Sequence, residues 1–144
     1  MTTMYSTLAG PPSAAGIRLA AIGAGAILLG FAGLQVALAA GAPLGEHVWG
    51  GSQDRVLPTG MRVVAGGAAV VLVGAAGTVA RRAGLVHRPA RWLSPTTWAI
   101  AAYLALNTVG NVASTSPVER GAFGPATAVA SALTAYVAWS SPRP

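Results

Sequence analysis

The 144-residue chain is 53% apolar and only 8% charged, against about 25% charged in an ordinary soluble domain. That excludes a water-soluble globule, and the blocks of Ala, Val and Leu point to a bilayer rather than to disorder. The chain has no cysteine, which removes disulfides and thiol chemistry. Its formal charge of +6 comes without the basic stripe and interleaved aromatics that nucleic acid requires, so no nucleic-acid partner is expected.

Four apolar segments follow in order, at about 14–40, 60–80, 95–114 and 117–139. Each reaches the roughly 20 residues that cross a hydrocarbon core. The first carries Arg18 as its only charge, and Ser13 is placed to cap it. It ends in ALAAGAP, which resembles a signal-peptidase site at Ala37-x-Ala39 or Ala40-x-Ala42. Its apolar run exceeds the usual 7–15 residues of a leader, so an uncleaved span is the favoured reading. Thr59 is placed to cap the second segment. Ser94-Pro95 offers a cap and a first-turn proline to the third. Ser116-Pro117-Val118-Glu119 offers a capping box to the fourth, in which Pro125 predicts a kink or a short turn ahead of the span. Short connections make neighbours antiparallel. The predicted fold is all-α: one four-helix transmembrane bundle running up-down-up-down.

Arginine placement orients it. The stretch RRAGLVHRPARW holds Arg81, Arg82, Arg88 and Arg91, and the positive-inside rule makes it cytoplasmic. Both termini are then cytoplasmic, and Arg18 and Arg143 join that side. Arg55, Arg62 and Arg120 fall outside with all three acids, Glu46, Asp54 and Glu119. Trp92, Trp98 and Trp139 mark the inner interface and Trp49 the outer one. The expected location is the plasma membrane of a cell, as a multi-pass protein. Arg81, Arg82, Arg88 and Arg91 could also attract anionic lipid, though fixing topology is explanation enough for them.

Candidate chemistry is sparse. The loop at 41–58, GAPLGEHVWGGSQDRVLP, gathers Glu46, His47, Trp49, Asp54 and Arg55. Its carboxylates and imidazole are metal-ligating types, yet nothing matches a zinc motif. Ser52, His47 and Asp54 lack a nucleophile elbow. No catalytic, metal or cofactor site is expected, and no enzyme. The bland reading is an ordered outer loop in which Glu46 or Asp54 pairs with Arg55 or Arg62. On the third segment Tyr103, Asn107, Asn111 and Ser114 share one helical face, bordered by Thr108 and Gly110. Polar groups at membrane depth turn toward a bundle interior or a cavity. Hydrogen-bonded packing between helices is favoured over a solute lining. Small residues at helix-packing spacing recur: Ala26 with Gly30, Gly33 with Ala37 and Gly41, and Gly67 and Gly74 with Thr78. Packing within one copy or between two accounts for them equally.

Two stretches resemble a family of small, uncharacterised four-span membrane proteins of actinobacteria and relatives. One is Gly41-Ala42-Pro43-x-Gly45, Trp49-Gly50-Gly51, Leu57-Pro58 and Met61-Arg62. The other is Asn111, Ser114, Ser116, Glu119-Arg120 and Gly124-Pro125. Leu44 and Met61 stand where that family tends to have Trp and Leu. The resemblance implies a four-helix membrane protein with both motifs on the outer side, and it implies no activity. Their charges suggest that the outer turns pack through the pairs Glu46/Arg62 and Glu119/Arg120. The expected function is a structural or interaction protein of the envelope, homo-oligomeric or bound to a membrane-protein partner. The alternative is a small-solute transporter or channel subunit lined by Asn107 and Asn111.

Overall fold

A computed structural model describes residues 12–87 and 90–141. Four helices form the bundle: α1 (Ala14–Ala39), α2 (Thr59–Arg82), α3 (Leu93–Ala113) and α4 (Gly124–Ser140). They alternate in direction. The 41–58 loop and the α3–α4 turn meet at one end, through Gly50 and Glu119. The ends of α2 and α4 meet at the other, through Arg82 and Ser141. α1 packs on α2 and α4, and α3 on α4, whereas α2 and α3 touch lightly.

The caps explain where the helices start. Ser13 Oγ accepts the Gly16 N–H at 3.1 Å, satisfying one of the orphan donors of a helix N-terminus. Thr59 does not cap α2; it is the first helical residue, after Pro58. Ser94 also lies inside its helix, because a turn from Ala90 to Leu93 feeds α3 directly. Pro95 remains in the first turn, where a missing N–H costs nothing. Ser116 Oγ accepts the Glu119 N–H at 3.4 Å, which is half of a capping box. The other half is missing because the Glu119 side chain is engaged elsewhere.

The kink predicted at Pro125 takes the form of a wide π-turn, Glu119–Phe123, that runs straight into α4. Pro125 has no N–H for the Gly121 carbonyl, and its ring crowds that carbonyl. The Gly124 N–H reaches five residues back, to the Glu119 carbonyl. A π-bulge is one of the few identifiable causes of such an irregularity.

Side-chain sizes are distributed inside out. The central core is built of Ala20, Ala21, Ala24 and Leu28 from α1, Ala76 and Val79 from α2, Leu104 from α3, and Ala130 and Val137 from α4. Mostly small residues let the backbones approach closely. The large apolar side chains point outward: Leu19, Ile22 and Leu29 on α1, Val63, Val64, Val70 and Val71 on α2, Leu106 and Val109 on α3. A soluble protein rarely exposes so continuous an apolar surface. Helices rich in valine are also poor formers in water, but in lipid each backbone group must be bonded within its own segment. Among the described residues, three helices are long and apolar enough to cross a membrane: α1, α2, and α4 with its π-turn. α3 has the length, but Ser94, Thr96, Thr97, Asn107, Thr108 and Asn111 dilute it.

Candidate functional site

The end of the bundle where the 41–58 loop meets the α3–α4 turn is built around one carboxylate. Glu119 is only 5% exposed. Its Oε2 accepts the Gly50 N–H at 3.0 Å and also the Ser114 hydroxyl. Ser114 Oγ in turn accepts the Ser116 N–H at 3.0 Å. Thr115 Oγ1 donates to the Gly50 carbonyl at 2.6 Å, and Ser116 Oγ donates to the His47 carbonyl at 3.4 Å. The α3–α4 turn thus grips the 41–58 loop by its backbone.

The loop's glycines make that grip possible. Gly50 (φ +87°) and Gly51 (φ +74°) are left-handed, and a side chain on Gly51 would press on Ser116. A Cβ on Gly45 would overlap the Asp54 backbone oxygen, because the Gly45 N–H is bonded to the Arg55 carbonyl at 2.9 Å. Trp49 is left-handed as well (φ +52°), which costs a non-glycine residue about 1–2 kcal/mol. A second small core of Leu38, Val48, Leu57 and Ala65 lies beneath, and Trp49 packs against it.

The predicted charge pairs between the two turns do not form. Arg62 Nε donates to the Ala39 carbonyl at 2.9 Å, where a cation complements the C-terminal end of α1. Glu46 instead meets Arg55 at 3.8 Å and His47 at 3.7 Å, all within the loop. These pairs are solvent-exposed, so they contribute little. Arg120 and Asp54 are exposed. Among the described residues, no ion pair joins the two turns and no group of three metal-ligating side chains gathers.

Tyr103, Asn107 and Asn111 line a cleft of about 120 Å³ between α1, α2 and α3, roofed by Val48 and Trp49. Ser114, the fourth member of the predicted face, lies one turn beyond it in the grip on Glu119. Asn107 Nδ2 donates to its own helix at the Tyr103 carbonyl, 2.9 Å away. The bonds that tie α3 to α4 join Thr108 and Asn111 of that face and its border to Thr127, and add Ser131; the two α4 residues were not singled out in the sequence. Thr108 Oγ1 meets Thr127 Oγ1 at 3.0 Å, Asn111 Nδ2 reaches it at 3.4 Å, and Ser131 Oγ donates to the Ala101 carbonyl at 2.9 Å. The spacing of Thr127, Ser131 and Thr134 on one helical face was the available signal. Gln35 was missed as well. It is the one amide inside the first apolar run, it lines the cleft, and its Oε1 is buried with no hydrogen-bond partner.

At the other end, Arg82 is 1% exposed and cannot serve as the surface lipid contact expected of it. Its guanidinium reaches across to the end of α4, donating to the carbonyls of Ser141 at 2.8 Å and Ala138 at 3.4 Å. Arg81 lies over the Trp92 ring at 5.7 Å, a cation–π distance. Arg91 is exposed. Arg88 and Arg143 lie outside the described residues. Of the small-residue runs, Gly30, Gly33, Gly67 and Gly74 have open space where a Cβ would be, so packing within one copy does not require them.

Fold and site together define an all-helical bundle with helices apolar enough for a membrane and a side-chain-to-backbone lock at one end. No family model, curated protein or solved structure matches the chain.

Proposed function

We propose that this is a four-span membrane protein of the cell envelope, with both termini cytoplasmic, acting as a structural or interaction subunit. The observation that carries the reading is the closely packed centre and the locked end of the bundle. Small side chains close the middle of the bundle, and the Glu119 network closes its outer end. Such a body is suited to holding a shape against partners. Orientation is supported by the charges: all three acids lie at the locked end, and Arg18, Arg81, Arg82 and Arg91 lie at the other. α3 completes the fourth span because its polar side chains are bonded within the bundle, which lowers their cost in lipid. The resemblance to the actinobacterial four-span family agrees with that count.

Because the chain lacks cysteine, topology can be tested with single replacements. A membrane-impermeant maleimide should label Ser52→Cys on intact cells and spare Val86→Cys. The reverse pattern refutes the orientation. The interaction reading further predicts a stoichiometric membrane-protein partner after mild detergent extraction.

The cleft favours a second reading, a solute-transport subunit lined by Asn107 and Asn111. It predicts that Asn111→Leu abolishes flux while the protein still accumulates.

A further inference from the structure

Several acceptors in the cleft have capacity to spare. Gln35 Oε1 is buried and unbonded. Asn107 and Asn111 each spend one amide N–H, on the Tyr103 carbonyl and the Thr127 hydroxyl, and their oxygens remain available to accept. Glu119 reaches the cleft wall too, and its carboxylate has lone pairs beyond the two donors that bind Oε2. Among the described residues no basic side chain lines the cleft. The remaining walls are strongly aromatic. Both phenylalanines of the chain meet there edge to face at 5.4 Å, with Trp49 and Tyr103 alongside. Aromatic faces beside a carboxylate and bare amide oxygens are the chemistry that attracts an ammonium group.

We propose that this cleft is a binding site for a small organic ammonium. Size sets the scale. A benzene-sized guest fills a cavity of about 150 Å³, so about 120 Å³ admits a headgroup of about four or five heavy atoms. Ethanolammonium and tetramethylammonium are of that size. The N–H of ethanolammonium donates to Gln35 Oε1, whereas either cation faces Glu119 with its carbon substituents on the rings. α2 and α3 touch lightly beside the cleft, so the same group can arrive free from solution or as the headgroup of an ethanolamine lipid. The site is independent of whether anything is carried across the membrane.

The test uses the purified full chain in phosphatidylglycerol nanodiscs, titrated calorimetrically with ethanolammonium, tetramethylammonium and neutral ethylene glycol. Both cations should bind and ethylene glycol should not. Gln35→Leu and Tyr103→Leu should each weaken ethanolammonium binding roughly tenfold, and neither residue belongs to the Glu119 lock. Repeating the titration in nanodiscs that contain phosphatidylethanolamine distinguishes the sources. Unchanged affinity identifies a free amine as the ligand, and lost affinity identifies the lipid headgroup as the occupant. Failure of both cations to bind, equal binding of ethylene glycol, or wild-type affinity in both variants overturns the proposal.

Discussion

Replacing Glu119 with alanine removes the one acceptor that the 41–58 loop and the α3–α4 turn share. A hydrogen bond to a charged group contributes about 1.5–3 kcal/mol. The two bonds at Oε2 differ in what replaces them. Gly50 is exposed, so water recovers part of its N–H bond and about 1 kcal/mol is lost there. The Ser114 hydroxyl is buried, and the loss there is nearer 2 kcal/mol. Together the change is about 3 kcal/mol, on the order of a hundredfold in the folded-to-unfolded ratio. That is well above the average of about 0.6 kcal/mol for a hydrogen bond between membrane helices, because this acceptor is a buried carboxylate. Glu119→Gln keeps an oxygen in place and should lose about half as much. The assay is detergent-driven unfolding in mixed micelles, paired with hydrogen exchange at the Gly50 amide. Both should respond to Glu119→Ala, whereas Arg120→Ala should stay within about 0.5 kcal/mol of wild type. If Arg120→Ala matched Glu119→Ala, a charge pair rather than the backbone grip would hold the turns. If neither readout moved for Glu119→Ala, the lock would have no energetic role.

Other changes test other parts of the fold. Gly45→Ala forces a Cβ into the Asp54 backbone oxygen and should cost about 3 kcal/mol, visible as poor accumulation or a lowered unfolding midpoint. Ser13→Ala removes the α1 cap and should cost about 1 kcal/mol, with faster amide exchange at Gly16. Leu28→Ala opens the centre of the core and should cost about 2–5 kcal/mol in the same unfolding assay. Arg82→Lys loses the guanidinium that spans two carbonyls of α4 and should speed proteolysis near Ser141, which Arg81→Lys should leave unchanged.

The helices were legible because their signals are local. Apolar run length placed α1 and α2 closely, Ser13 marked the start of α1, and Pro125 marked the irregular start of the last helix. Ser94 misled because the residues ahead of it form a turn of their own, and a cap depends on that backbone. The lock was only half legible. Ser114, Ser116 and Glu119 stood out as polar residues beside a turn, but the partner of Glu119 is a backbone amide 69 positions away. Charge counting looks for opposite charges and cannot see an N–H group. The same blindness hid Arg82, whose partners are carbonyls at the end of α4. Of the cleft, Asn107 and Asn111 were visible on their shared face. Gln35 was masked by the apolar run around it, and Thr127 by an alanine-rich helix in which threonine reads as filler.

The wide turn at Glu119–Phe123 also sets rotational phase. A π-turn holds about one residue more than an α-turn, and one residue is about 100° of rotation. Glu119 and the helix that follows are therefore indexed to each other by a single surplus residue. Deleting Ala122 would let the helix run regularly and would swing the carboxylate away from Gly50, even though no contacting side chain had changed. Spacing in this segment matters as much as composition, and insertions or deletions there should be tolerated far less than substitutions on its outer surface.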